Sequence, residues 1–127
     1  MICEDEQDLL TIYSTAFKSR YNVLAVNSGR ACIEKYMDQK LRGKRIDLLL
    51  LDYRLGDMLG DDVACKISEL DGTKTILISA YELDNEVINN LKQRSCIVEM
   101  IKKTCKYPIT GRNSRRDCAR KMLASPN

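Results

Sequence analysis

The chain of 127 residues contains no histidine and no tryptophan, and it has a single phenylalanine. The absence of an imidazole excludes a histidine general base, a Cys/His nucleophile pair and most of the common zinc sites. Any chemistry must therefore come from carboxylates, hydroxyls and lysines.

The six cysteines contain no C-x-x-C pair, and most of them lie far apart in sequence. This spacing is wrong for a metal knuckle. We expect buried thiols in a reducing compartment. The cysteines are Cys3, Cys32, Cys65, Cys96, Cys105 and Cys118.

Long apolar runs are also absent, since none approaches the roughly 20 residues that span a bilayer. The acidic residues Glu4, Asp5 and Glu6 do not fit a signal peptide. The sequence therefore predicts a cytoplasmic protein with no membrane partner.

Charge is divided unevenly along the chain. Residues 1–101 hold 13 Lys/Arg against 17 Asp/Glu, whereas residues 102–127 hold 8 against 1.

The length predicts one domain over residues 1–127, with no room for a separate DNA-binding output domain. Residues 107–127 form a basic, irregular C-terminal segment that contains Pro108 and Gly111.

The arginines of that segment could follow a nucleic-acid backbone, but no aromatic residues are interleaved with them. A solvated basic helix is the favoured interpretation, so we expect no nucleic-acid partner. Asn113 or Ser114 would begin that helix, and it would run to about Leu123.

Two uninterrupted apolar runs each end in a polar residue. Residues 46–51 precede Asp52, and residues 75–78 precede Ser79. Such runs are typical of strands covered on both faces in a parallel sheet. Weaker runs occupy residues 22–26 and 96–101, and the first strand would be only residues 1–3.

Apolar residues at helical spacing fall between these runs, as at Leu9, Tyr13 and Phe17. Asp84 is the predicted N-cap of the helix after the fourth strand. Alternation of strands and helices predicts an α/β fold with a doubly wound, five-stranded parallel sheet. Its first strand and last helix would be irregular.

Each main strand is followed by a residue suited to a phosphate or metal site. Because the carboxyl ends of parallel strands share one edge of the sheet, we expect these side chains to lie close together. Carboxylate oxygens are ligands that Mg²⁺ prefers. The residues at these ends are Glu4, Asp5, Asp52, Ser79, Lys102 and Lys103.

Three more acids follow the presumed site in the loop after Asp52. We expect Asp57, Asp61 and Asp62 to lie on the loop surface and in the first turn of a helix beginning near Gly60, where a helix dipole favours negative charge.

The chain resembles the receiver domains of two-component response regulators over residues 1–106. The matching residues are Cys3-Glu4-Asp5-Glu6, Leu51-Asp52, Gly60, Ile78-Ser79-Ala80 and Lys102-Lys103. The resemblance implies a flavodoxin-like strand order, 2-1-3-4-5. It also implies a stand-alone signalling domain that is not an enzyme beyond self-catalysed phosphorylation and dephosphorylation.

By this resemblance, Asp52 is the phosphoacceptor and Ser79 is the switch hydroxyl. Glu4 and Asp5 hold Mg²⁺ together with Asp52, with Asp5 a direct ligand, and the backbone carbonyl of Arg54 completes the protein's coordination. The implied partners are a sensor histidine kinase or phosphotransfer protein and a downstream protein.

The family's lysine could be either Lys102 or Lys103. Lys103 is favoured because it follows the strand with the family's spacing, although Thr104 replaces the usual proline. The position of the family's switching aromatic falls on Met100 or Glu99, so the aromatic half of the usual coupling is missing.

Two alternatives remain open. A pseudo-receiver would keep the fold as an interaction module without phosphate chemistry. A phosphatase of the haloacid dehalogenase type also uses an aspartate after an apolar strand, but it needs a second aspartate where this chain has Arg54.

Overall fold

Five strands alternate with four helices in residues 1–102, the part of the chain that the computed structural model describes. The predicted last helix, and with it the segment 107–127, lies outside the described residues. The elements are β1 (Ile2–Cys3), α1 (Gln7–Lys18), β2 (Ala25–Val26), α2 (Gly29–Leu41), β3 (Leu48–Asp52), α3 (Gly60–Leu70), β4 (Lys74–Ser79), α4 (Asn85–Gln93) and β5 (Glu99–Lys102).

The strands form one parallel sheet in the order β2-β1-β3-β4-β5. This order confirms the predicted doubly wound, flavodoxin-like fold. The first strand is as short as predicted, since β1 pairs with β3 only at Ile2↔Leu50 and Cys3↔Leu51. By contrast, β3 pairs with β4 along its whole length.

The long apolar run builds a core on both faces of β3, as its sequence predicts. Leu49 and Leu51 are fully buried in the cluster that contains α2 and α3. On the opposite face, Ile2 and Ile78 pack with apolar residues of α1. Each fully buried Leu or Ile contributes about 1.5–3 kcal/mol to stability, so the two layers fix the strand ends that carry the polar residues.

Two helices begin with a side-chain cap. Ser28 Oγ accepts a hydrogen bond from the Ala31 N–H of α2 at 3.0 Å. Asp84 Oδ1 accepts one from the Glu86 N–H of α4 at 3.1 Å, which confirms the predicted N-cap. Each cap satisfies one of the helix's otherwise unpaired N–H groups.

The expectation of free thiols is correct for one pair of cysteines and wrong for another. Cys3 and Cys32 are buried free cysteines. Cys65 and Cys96, in contrast, form a disulfide with their Cα atoms 4.5 Å apart. Their positions, 31 residues apart in sequence, meet only because α3 packs beside the segment leading into β5. Cys105 and Cys118 lie outside the described residues.

A search of residues 1–102 for a helix long and apolar enough to cross a membrane finds none.

Candidate functional site

A pocket of about 380 Å³ opens at the carboxyl edge of the sheet. In doubly wound folds, ligands bind at this edge where the strand order reverses, and here that point falls between β1 and β3. The described residues that line the pocket are Glu4, Asp5, Glu6, Asp52, Arg54, Ser79, Ala80 and Tyr81.

Three carboxylates meet at this edge because β1 and β3 are parallel neighbours. Carboxylate oxygens of Glu4, Asp5 and Asp52 all lie within 4.8 Å of one another. Glu4 is 2% exposed and Asp52 is 7% exposed, whereas Asp5 is exposed. An all-oxygen donor set with an open, wet side fits Mg²⁺, which binds one or two carboxylates and keeps several waters.

The position of Asp52 depends on Gly60, the first residue of α3. The Gly60 N–H donates to the Tyr53 carbonyl at 2.5 Å, and the Tyr53 N–H donates to the Ile78 carbonyl at 2.8 Å. A Cβ on Gly60 would collide with the carbonyl oxygen of Asp52. Only glycine therefore allows α3 to begin this close to the end of β3.

The hydroxyl of Ser79 is buried at the end of β4 and binds the loop that follows it. Ser79 Oγ donates to the Tyr81 carbonyl at 2.9 Å and accepts from the Tyr81 N–H at 3.0 Å. Ser79 is 1% exposed and lines the pocket. A rotation of this one side chain toward the pocket would break both hydrogen bonds to the loop.

A cation–aromatic pair lies at the pocket wall. The guanidinium carbon of Arg54 stands 4.3 Å from the centre of the Tyr81 ring. Sequence reasoning considered only the backbone of Arg54, and it had no signal for this pairing because the two residues belong to different loops. Both residues line the pocket that contains the three carboxylates, so the stack places a positive charge at the pocket wall.

Lys102, one of the two candidate lysines, points to another partner. Its Nζ donates to Glu82 Oε1 at 2.8 Å. This hydrogen bond and the lysine's charge lower the pKa of the Glu82 carboxyl. Lys102 is not among the described residues that line the pocket. The other candidate, Lys103, lies outside the described residues.

Asp57 takes a position that the sequence did not predict. Its carboxylate accepts from the N–H groups of Gly29 at 2.9 Å and Arg30 at 3.0 Å, at the start of α2. These backbone hydrogen bonds, that of Arg30 first, lower the pKa of Asp57. Asp57 is exposed in the loop after β3, as predicted, but its carboxylate binds the start of α2, which the sequence did not predict. Asp61 and Asp62 lie in the first turn of α3 as predicted.

The comparisons with known proteins agree with this fold. A family model described as "Response regulator receiver domain" matches residues 1–108. No curated protein matches the chain.

Solved structures resemble the chain closely in fold but weakly in sequence. The signal receiver domain of a putative LuxO repressor protein from Vibrio parahaemolyticus has a TM-score of 0.69 at 23% identity, covering 99% of this chain and 95% of that one. The BeF3-activated N-terminal receiver domain of RstA from Klebsiella pneumoniae has a TM-score of 0.67 at 20% identity, with coverages of 98% and 97%. A CheY-like receiver domain protein from Methanospirillum hungatei has a TM-score of 0.65 at 19% identity, with coverages of 96% and 87%.

A doubly wound parallel sheet in the order β2-β1-β3-β4-β5, with an acidic pocket at its carboxyl edge, places the chain in the class of flavodoxin-like folds that includes the receiver domains. The family match covers most of the chain, and this protein belongs to the response regulator receiver domains of two-component systems.

Proposed function

We propose that this receiver domain accepts a phosphoryl group on Asp52 and signals through the loop after β4. The carrying observation is the meeting of Glu4, Asp5 and Asp52 within 4.8 Å, in a pocket also lined by Ser79. In this proposal Glu4, Asp5, Asp52 and the backbone carbonyl of Arg54 hold Mg²⁺.

Asp52 supplies the nucleophile. One of its carboxylate oxygens forms the new bond to phosphorus while the bond from phosphorus to the donor's leaving group breaks. Bound Mg²⁺ would offset negative charge on the transferring oxygens. Burial of Asp52 at the end of a rigid strand holds the attacking oxygen in place and limits competing water.

Ser79 acts after the phosphoryl transfer in this proposal. Its O–H, now given to the Tyr81 carbonyl, would donate instead to a phosphoryl oxygen on Asp52. That exchange would free both backbone groups of Tyr81 and so move the loop.

The lysine of the site is proposed to be Lys103. This choice is supported by the other candidate, because the ammonium of Lys102 already forms a salt bridge with Glu82 at 2.8 Å. Lys102 stays the alternative, since it is the last residue of β5 and pairs with Ser79 in the sheet.

The proposed partners follow from the family. Receiver domains interact with histidine kinases or phosphotransfer proteins, and we propose such a donor here together with a downstream protein that reads the loop. Action in the cytoplasm, as a stand-alone domain, stays a prediction. A haloacid dehalogenase-type phosphatase is disfavoured because the residue two positions after Asp52 is Arg54, whose guanidinium stacks on Tyr81.

Intact-mass measurement after incubation with Mg²⁺ and acetyl phosphate tests the acceptor. The parent should gain the mass of one phosphoryl group, and Asp52→Asn should gain none. The matched control is Asp62→Asn, an exposed acid of α3, which should react like the parent. An adduct that survives in Asp52→Asn would contradict the assignment, and a parent with no adduct would favour the pseudo-receiver.

Thermal unfolding with and without Mg²⁺ tests the metal site separately. Three crowded carboxylates disfavour the empty site, and a ligand at a hundredfold excess over its Kd stabilises the native state by about 2.7 kcal/mol. Asp5→Ala should respond much less than the parent, while Asp62→Asn should respond equally. An undiminished response in Asp5→Ala would place the metal elsewhere.

A further inference from the structure

The disulfide between Cys65 and Cys96 lies away from the acidic pocket and joins two elements that are packed to different degrees. In α3, Val63, Ala64 and Ile67 are buried. Of the nine residues of α4, only Leu91 is buried. The helix α4 therefore has little packing of its own to hold it against the domain.

Cys96 lies where α4 ends and the chain turns toward β5. Its N–H donates to the Leu91 carbonyl at 2.9 Å. Two residues later, the Val98 N–H donates to the Thr75 carbonyl at 2.8 Å. A bond from Cys65 to Cys96 thus connects the well-packed α3 directly to the end of the weakly packed α4.

We propose that Cys65 and Cys96 form a reversible thiol–disulfide site whose oxidised form anchors α4 to α3. The site needs no phosphoryl transfer, so it stands independently of the function proposed above. Disulfides in reducing compartments are usually transient and redox-sensing, which agrees with the proposed cytoplasmic location.

The oxidant is a low-molecular-weight disulfide of the glutathione type. The Cys65 thiolate attacks one sulfur of the oxidant, forming a mixed disulfide and releasing one thiolate. The Cys96 thiolate then attacks Cys65 Sγ and releases the second. The two protons lost by the cysteines pass to the two released thiolates, so the protein loses two electrons and the oxidant gains two.

The surroundings of the two sulfurs suit this order. Cys65 is half-buried, so a small reagent can reach it, whereas Cys96 is 2% exposed and acts second. Ser68 Oγ donates to the Cys65 carbonyl at 2.7 Å and lies 3.9 Å from Cys96 Sγ, so it packs beside both cysteines.

Cys3 and Cys32 provide an internal contrast. They are 1% and 0% exposed, and Cys3 Sγ donates to the Ser28 carbonyl at 3.2 Å. The hydrogen bond between the two side chains and then burial raise the pKa of Cys3. Neither thiol is accessible to a dissolved disulfide, so we expect both to stay reduced while the native fold persists.

The test uses the full chain, equilibrated with oxidised glutathione or with dithiothreitol. Alkylation, peptide mapping and mass measurement should assign the oxidised bond to Cys65 and Cys96 and return both thiols after reduction of the folded protein. Oxidation should raise the Tm by about 10 °C, because the bond closes a long loop in the unfolded chain. Amide exchange in residues 85–93 should slow by about tenfold or more.

Cys65→Ser should lose both responses, and Cys96→Ala repeats the test if the first variant folds poorly. Cys32→Ala is the control and should respond like the parent. A bond mapped to Cys105 or Cys118, a bond that survives reductant in the folded state, or unchanged exchange in α4 would each overturn the proposal.

Discussion

Thr75 places a buried hydroxyl in strand β4. It is 1% exposed, and its Oγ1 has no hydrogen-bond partner in the part of the chain that the structure describes. A buried polar group without a partner costs about 1–3 kcal/mol. We expect Thr75→Val, which keeps the shape, to raise the free energy of unfolding by about 1 kcal/mol in urea denaturation.

Thr73 is the matched control, because its Oγ1 donates to the Ile46 carbonyl at 3.1 Å. Thr73→Val should lower the free energy of unfolding. A Thr75→Val protein that is less stable than its parent would show that the hydroxyl is satisfied after all.

The carboxylate of Asp57 links the loop after β3 to the start of α2 by hydrogen bonds, and the strength of these bonds depends on the negative charge of the carboxylate. Hydrogen bonds from Arg30 and Gly29 lower its pKa in the folded state. These hydrogen bonds therefore stabilise the folded state at pH values above the usual pKa of a carboxyl group, and this stabilisation is lost as pH falls through the lowered pKa. Asp57→Ala should cost about 1 kcal/mol at pH 7.

The difference in the free energy of unfolding between the parent and Asp57→Ala should shrink as pH falls below about 4. Urea denaturation at pH 7 and at pH 3 measures it. Equal gaps at the two pH values would mean that the carboxylate charge plays no part in the cap.

Among the elements, the contact between the start of α3 and the end of β3 decides where Asp52 lies. A methyl group on Gly60 would meet the Asp52 carbonyl and the Leu77 side chain. Gly60→Ala should therefore destabilise the protein by about 1–3 kcal/mol and weaken its thermal response to Mg²⁺.

Gly72 gives a matched control, since a Cβ there would meet nothing within 4 Å. Gly72→Ala should leave both the stability and the response to Mg²⁺ near those of the parent. The measurement is thermal unfolding with and without Mg²⁺. If Gly60→Ala behaves like Gly72→Ala, α3 can shift without disturbing Asp52.

The elements that the sequence predicted best are those whose pattern is local. Apart from Asp47 and Thr75, residues 46–51 and 75–78 are apolar, and they supply most of the strands β3 and β4. The predicted fifth strand began too early, at 96, because the N–H groups of Cys96 and Ile97 both donate to the Leu91 carbonyl and so close α4. Strand β5 begins at Glu99.

Contacts between loops could not be predicted from such local sequence patterns. The meeting of Glu4, Asp5, Asp52 and Ser79 at one edge follows from parallel strand order alone. The Arg54–Tyr81 stack depends on side-chain directions within two loops, which leave no period in the sequence. The bond from Asp57 to α2 and the disulfide arise in the same way, from the packing of distant segments.

Across the whole molecule, the signal should travel a short distance. Ser79 holds Tyr81 by two hydrogen bonds, but its neighbouring strand offers no aromatic ring that could follow it inward. Met100 instead pairs with Leu77 in the sheet. We expect a response to a berylliofluoride mimic that is confined mainly to residues 79–83.

Amide exchange on the parent and on Ser79→Ala, each with and without the mimic, measures this response. Ser79→Ala should still be phosphorylated, because Asp52 is intact, but its loop should no longer respond. A parent response as large at residues 96–102 as at 79–83 would refute the confined switch, and an unchanged loop response in Ser79→Ala would remove Ser79 from the mechanism.

The shortness of β1 has a consequence for how the domain comes together. Glu4 and Asp5 are held beside Asp52 by the two paired positions of β1 on β3 and by the hydrogen bond from the Met1 amino group to the Leu48 carbonyl. The chain between β1 and β3 contains α1, β2 and α2. Closing so long a loop for so few backbone bonds is entropically unfavourable, so we expect β1 to dock late in folding. Until β1 docks, β2 lacks the strand that it pairs with and Glu4 and Asp5 are not held beside Asp52, so we expect a partly folded chain to lack both the complete sheet and the ability to capture a cation.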